Sequence, residues 1–148
     1  MKFALIALAL LAVLPAHAQF RKPEDAVRYR QSVMNVMGNH FYSRIGAMAN
    51  GRIPFDAKVA QESADIVATM VKLPWMAFTP DTNGIGRTEA KPAVWTEQAK
   101  FKDLSEKAQA EVLKLQAAAK TGDLDQIKAA YRATGNSCKS CHDAFTNQ

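Results

Sequence analysis

AVRYRQSVMNVMGNHFYSRIGAM, residues 26–48, places Val27, Met34, Phe41 and Met48 seven residues apart, with Val33, Met37 and Ile45 filling the second seam position. Two apolar positions per seven residues is the pattern by which one helix packs against others in a bundle. Pro23 is pre-set for a first helical turn, and Glu24 and Asp25 suit the positive helix end. Asn50-Gly51 offers a left-handed stop. Downstream, Asp56 is a helix cap for a segment reaching about residue 72, with Ala60, Ala64, Val67 and Val71 on one side and Pro74 ending it. A third segment, about 93–120, carries Phe101, Leu104, Ala108, Val112, Leu115 and Ala119 at alternating three- and four-residue steps. Thr121-Gly122-Asp123 is a stop followed at once by a new cap. The fourth segment lines up Ile127, Ala130 or Tyr131, Thr134, Cys138, Cys141 and Phe145. No alternating strand pattern competes, so the expected fold is all-α, an antiparallel up-down-up-down four-helix bundle.

The connection over 73–92 breaks this economy. It holds Pro74, Pro80, Gly84, Gly86 and Pro92, and loops of that length in a small domain are usually functional or mobile. Trp75 and Phe78 are too bulky to leave in water. The loop is therefore expected to fold back over something apolar.

The chain has 148 residues, and its first eighteen read as a leader rather than as part of the fold. Lys2 precedes an unbroken apolar run from Phe3 to Leu14, and Pro15-Ala16-His17-Ala18 gives a small-x-small cleavage pattern. The run is too short to span a bilayer. A cleaved signal peptide over 1–18 and one domain over 19–148 are expected, with export to a bacterial periplasm and no membrane attachment after cleavage. The formal charge of +5 falls to +4 without Lys2. No Lys/Arg run or aromatic-basic interleaving marks a nucleic-acid site.

In an oxidising compartment two cysteines suggest a disulfide, but Cys138-Lys139-Ser140-Cys141-His142 argues for something else. Residues three and four apart share a helix face, so both thiols can reach the vinyl groups at one haem edge. His142 neighbours both and can direct its imidazole at the iron. C-x-x-C-H is the signature of c-type haem attachment. A thioredoxin-like dithiol needs a βαβ setting and a helix N-terminus, and this motif ends the last helix of an all-helical chain. Zinc wants four ligands, and beyond the motif the mature chain adds only His40. One covalent haem c per chain, held by Cys138 and Cys141 with His142 as axial iron ligand, is the expectation.

The sixth position of the iron decides what such a protein does. Ligation by His alone leaves iron open to small gases, whereas His/Met or His/His closes the site and favours electron transfer. His40 lies beside Phe41 but off the main stripe, which reads as a surface or core-edge residue. A methionine ligand would come from Met34, Met37, Met48, Met70 or Met76. Met34 and Met37 face inward and Met34 is better placed, although methionine on such a stripe is more often packing.

A haem motif at the C-terminal end of four helices resembles the cytochrome c' family, and the likeness spans the mature chain. It is carried by Gln19-Phe20, Lys22-Pro23-Glu24-Asp25-Ala26-Val27, Tyr29-Arg30-Gln31-Ser32, Leu73-Pro74-Trp75 with Phe78, Pro92 with Trp95, and Ser137 through Asp143. The resemblance implies a bundle homodimer and a five-coordinate, high-spin haem with a crowded apolar distal face. It implies Met34 over the iron, Met37, Trp75 and Phe78 completing that wall, and Arg30 and Gln31 near the propionates. Thr88 and Glu89 are further candidates for the haem rim. One departure stands out. Many relatives carry a basic residue four positions after the haem histidine, and Thr146 stands there, so any proximal ligand loses that support.

The expected function is a periplasmic mono-haem protein that carries single electrons for an unidentified redox partner and binds nitric oxide or carbon monoxide. The alternative is a low-spin shuttle closed by Met34. No general acid or base has a suitable distal position, so enzymatic turnover is not expected.

Overall fold

A computed structural model of the chain describes residues 19–147; the expected leader lies outside the described residues. The first rod of the bundle joins α1 (Pro23–Gly38) to α2 (Gly46–Ala49) through a π-helical turn over Asn39–Ile45. A plain helix was expected here, and the wider turn has a cause in the side-chain spacing. Val33, Met37, Phe41, Ile45 and Ala49 are separated by consecutive four-residue steps. At 3.6 residues per turn such a ladder winds off the core face. The extra residue per π turn brings it back, and Phe41 and Ile45 end up 3% and 0% exposed. The rod stops at Asn50, and Gly51 takes φ +68° as a left-handed terminator.

α3 (Ala57–Met70) starts where Asp56 accepts a hydrogen bond from the Val59 amide at 3.0 Å. The third rod is not the single helix its spacing predicted. It is split into α4 (Ala93–Thr96) and α5 (Gln98–Thr121) by Glu97, which leaves helical geometry at φ −113°, ψ 46°. No Pro or Gly marks the break. Its cause is tertiary: Val94 is buried, and the Trp95 indole N–H donates to the Thr79 carbonyl at 2.9 Å. These contacts turn α4 toward the long loop while α5 runs along α6. Gly122 ends α5 at φ +69°. Asp123 then caps α6 (Leu124–Phe145), its carboxylate accepting from the Asp125 and Gln126 amides and held below its usual range by the Gln126 bonds first.

Two packed clusters divide the interior. The larger joins Phe41, Ile45 and Met48 to Ala64 and Val67, to Val112 and Leu115, and to Ile127, so each rod contributes. Burying its Val, Leu, Ile, Phe and Met side chains stabilises by about 1.5–3 kcal/mol each. The smaller gathers Val94, Cys141 and Phe145, with Phe78, Trp95 and Phe101 packed against them. Cys141 of the motif therefore belongs to a packed element.

Gly46 lets the first rod approach α6. A Cβ built there would lie 2.5 Å from the Tyr131 hydroxyl and 2.9 Å from the ring carbon bearing it. Gly46→Ala is expected to destabilise the haem-loaded protein by about 1–2 kcal/mol, overpacking outweighing the gain in helix propensity. Thermal unfolding measures this, and Tyr131→Leu added to the same chain should relieve most of it.

Candidate functional site

α6 presents Cys138 and Cys141 one turn apart on the stripe that carries Thr134 and Phe145, and His142 follows at the edge of that stripe. Thr134 is fully buried and donates to the Glu111 carbonyl at 3.1 Å, fixing the rotation of α6 against α5. Both thiols are free. Cys141 is 8% exposed, and burial, with the Cys138 charge second, pushes its thiol up to about 11. Burial also raises Cys138. Burial lowers His142, only partly opposed by Asp143, so its imidazole is favoured in the neutral form a metal ligand needs.

These three residues line one wall of a cleft with about 960 Å³ of empty space, open solvent at its mouth included. The first rod supplies Arg30, Gln31, Met34 and Met37 to the lining. The long loop adds Trp75, Phe78, Thr88 and Glu89, so the fold brings together every site residue singled out from the sequence. His40 stays away from the cleft at the core edge, its Nδ1 3.4 Å from the Ser63 hydroxyl. Of the other methionines, Met48 is buried in the main core and Met76 is 48% exposed on the loop.

The loop is pinned rather than slack. The Trp75 indole N–H donates to the Val71 carbonyl at 2.6 Å, and its ring stacks on Phe78 at 6.4 Å. Phe78 meets Phe101 edge-on at 5.0 Å, and Phe101 meets Phe145 at 5.2 Å. Phe101 and Phe145 were legible only as core-stripe residues. Their role as cleft wall was missed, and the one available signal was that both aromatics sit at stripe ends nearest the haem motif. The far end of the loop is clipped to the chain terminus. Ala90 and Thr146 form an antiparallel bridge, the Lys91 amide donates to the Phe145 carbonyl at 2.9 Å, and the Asn147 amide donates to Glu89 at 2.9 Å. The Thr146 hydroxyl is bonded to the His142 carbonyl at 3.0 Å.

Arg30 departs most from its default as a solvated helix residue. It is 3% exposed. Its Nη1 donates to the Ala77 carbonyl at 2.8 Å and the Thr82 hydroxyl at 3.0 Å, and its Nη2 reaches the Thr88 hydroxyl at 3.4 Å. The guanidinium lies 4.4 Å from the Phe78 ring centre and 5.7 Å from that of Trp95. Desolvation lowers its pKa. No carboxylate pairs with it among the described residues. Beside it, the Gln31 amide donates to the Arg87 carbonyl at 2.6 Å.

The donor set and walls fit haem c. Two thiols sit at the attachment spacing in an apolar cleft, with an imidazole one residue on. A buried cation without a protein counter-charge stands at the rim, where a cofactor bearing carboxylates can supply one.

Comparison with known proteins agrees. A family profile described as cytochrome C' matches residues 25–146. Cytochrome c' of Rubrivivax gelatinosus is 55% identical over 127 residues, covering 86% of this chain and 98% of that protein. Cytochrome c' of Alcaligenes xylosoxydans xylosoxydans is 43% identical, covering 86% and 97%. The crystal structure of the Rubrivivax protein superposes with a TM-score of 0.84 at 54% identity, covering 87% of this chain and all of that one. A nitric oxide complex of a point mutant of cytochrome c prime from Alcaligenes xylosoxidans superposes with a TM-score of 0.80 at 41% identity, covering 88% of this chain and 100% of that one.

Proposed function

The chain belongs to the cytochrome c' family, whose members carry covalently bound haem c, and from that premise we propose that it is a periplasmic single-electron carrier with an open iron position for nitric oxide or carbon monoxide. Haem c supplies the iron that changes valence and the coordination position that a diatomic takes. Cys138 and Cys141 bond the cofactor through their sulfurs, and His142 gives one nitrogen to the iron. Arg30 and Gln31 hold the propionate side, where a guanidinium binds carboxylates well, with Thr88 and Glu89 at the rim. Met34, Met37, Trp75 and Phe78 exclude water and bulky or anionic ligands by crowding. The nitric oxide complex of the Alcaligenes protein supports the gas-binding part.

One observation carries the reading: the first-rod and loop lining of the cleft contains thioethers and aromatic rings but no second imidazole. The test is the optical and electron paramagnetic resonance spectrum of the ferric and ferrous protein. High-spin signals and a ferrous spectrum shifted by carbon monoxide are expected. A low-spin spectrum with a sulfur-to-iron band would overturn the open site in favour of a Met34-closed shuttle. Met34→Ala separates the two independently, because an open site binds carbon monoxide faster, whereas a shuttle loses sulfur ligation and drops in potential.

Residues 1–18 act in this reading as the cleaved leader, so the mature protein should begin at Gln19. For the homodimer, Val36 and Tyr42, 40% and 48% exposed on the first rod, are apolar surface a second copy can cover, whereas Val33 is turned inward at 7%. A monomer at micromolar concentration in sedimentation would overturn the dimer.

A further inference from the structure

From Arg30 on the cleft lining, a chain of hydrogen bonds runs behind the aromatic wall through residues outside that lining. The Arg30 Nη1 donates to the Thr82 hydroxyl at 3.0 Å, that hydroxyl donates onward to the Thr79 carbonyl at 2.7 Å, and the same carbonyl accepts the Trp95 indole N–H at 2.9 Å. The chain thus ties α1 to α4 through the loop. Thr82 is 0% exposed, and its single hydroxyl both accepts and donates. Arg30 also donates to the Ala77 carbonyl at 2.8 Å. Ala77 and Thr79 flank Phe78, so the backbone on both sides of that wall residue is clamped while its ring lies against the guanidinium at 4.4 Å.

We propose that the Arg30–Thr82–Thr79–Trp95 chain holds the aromatic wall closed, and that Thr82 is a positioning residue setting how fast a small neutral ligand enters the cleft. The ligand-entry half rests on the open-iron reading above; the clamping half does not. Members of a satisfied buried network strengthen one another, and one lost member leaves the rest short of partners. The loop is tied elsewhere at Trp75, Arg87 and Ala90, but the stretch from Ala77 to Thr82 that carries Phe78 has of its own only the short 3-10 turns at Pro74–Ala77 and Pro80–Thr82. Wall opening therefore becomes a local event governed by this chain.

Thr82→Val keeps the side chain's shape and removes the relay. In the holoprotein, hydrogen–deuterium exchange across 77–88 should quicken on the order of tenfold, since a bond to a charged group is lost. Carbon monoxide association with the ferrous protein should quicken several-fold. The ferric spectrum should keep its form, since Thr82 does not line the cleft. Thr82→Ser, which restores the hydroxyl, should return both rates. Trp95→Phe cuts the other arm and should act in the same direction, which keeps the test usable if Thr82→Val unfolds. Unchanged loop exchange in both variants would overturn the clamp. Faster exchange with unchanged carbon monoxide association would overturn the control of entry. If the unmodified protein takes up no carbon monoxide, the open-iron reading fails, and the exchange data alone decide the clamp.

Discussion

Replacing Cys138 and Cys141 together by alanine is expected to abolish covalent haem altogether: no haem stain on a denaturing gel, and full extraction of pigment into acidified ketone. Cys141 is held at the cleft by packing as well as by sequence, and it fixes the register of Cys138. Cys141 is packed with Val94 and Phe145, and Cys138 lies one helical turn before it, so both sulfurs share a register fixed by the buried face of α6. Either single variant should keep one thioether and resist extraction. The double variant should also be less stable, because a bound group that favours the native state stabilises it by mass action, and a covalent one never dissociates to relinquish that contribution. Retention of non-extractable pigment in the double variant would mean that attachment runs through some other residue.

That stripe shows how much of the molecule its sequence displays. The Asp56 and Asp123 caps and the left-handed Gly51 and Gly122 are local signals that the structure carries, and the seven-residue recurrence buries Val27, Phe41 and Met48, though across a π turn it did not announce. What was not legible depends on distant contacts. The Glu97 break answers to Trp95 reaching Thr79, and no residue at the break announces it. Thr82 carries no pattern at all, yet it is fully buried because Arg30, 52 residues earlier, needs an acceptor. The Ala90–Thr146 bridge joins a loop to the chain terminus, which neither segment's own spacing implies. For the site, Cys138, Cys141 and His142 were readable because attachment chemistry fixes its own spacing, whereas Arg30, Gln31, Trp75 and Phe78 were singled out through the family resemblance. The wall of Phe101 and Phe145 was not, because an aromatic on a core stripe looks the same whether it faces another helix or a cleft.

Thr146 illustrates how a departure from the family pattern becomes a structural statement. Its amide and its hydroxyl both bond to the His142 carbonyl, at 2.8 and 3.0 Å. Its backbone pairs with Ala90. The residue therefore braces the end of the helix that presents His142 and contributes no charge there.

Arg30→Met is expected to cost about 3 kcal/mol, lowering Tm by roughly 10 °C, a large share of the ~5–15 kcal/mol available to a domain. Methionine fills much of the volume, so the loss falls on polar groups. The Ala77 carbonyl and the hydroxyls of Thr82 and Thr88 lose their donor, and Phe78 and Trp95 lose the cation beside their faces. Removing the buried charge also removes its desolvation cost, which keeps the figure below the sum of the lost bonds. Arg30→Lys separates charge from geometry. An ammonium restores the charge but is a single point, whereas the guanidinium serves Ala77 and Thr82 from one nitrogen and Thr88 from another. Lysine is therefore expected to recover less than half of the lost stability in thermal unfolding. Recovery to the wild-type Tm would mean that the cleft needs only a cation at its rim, and that the fork holding three loop positions adds nothing.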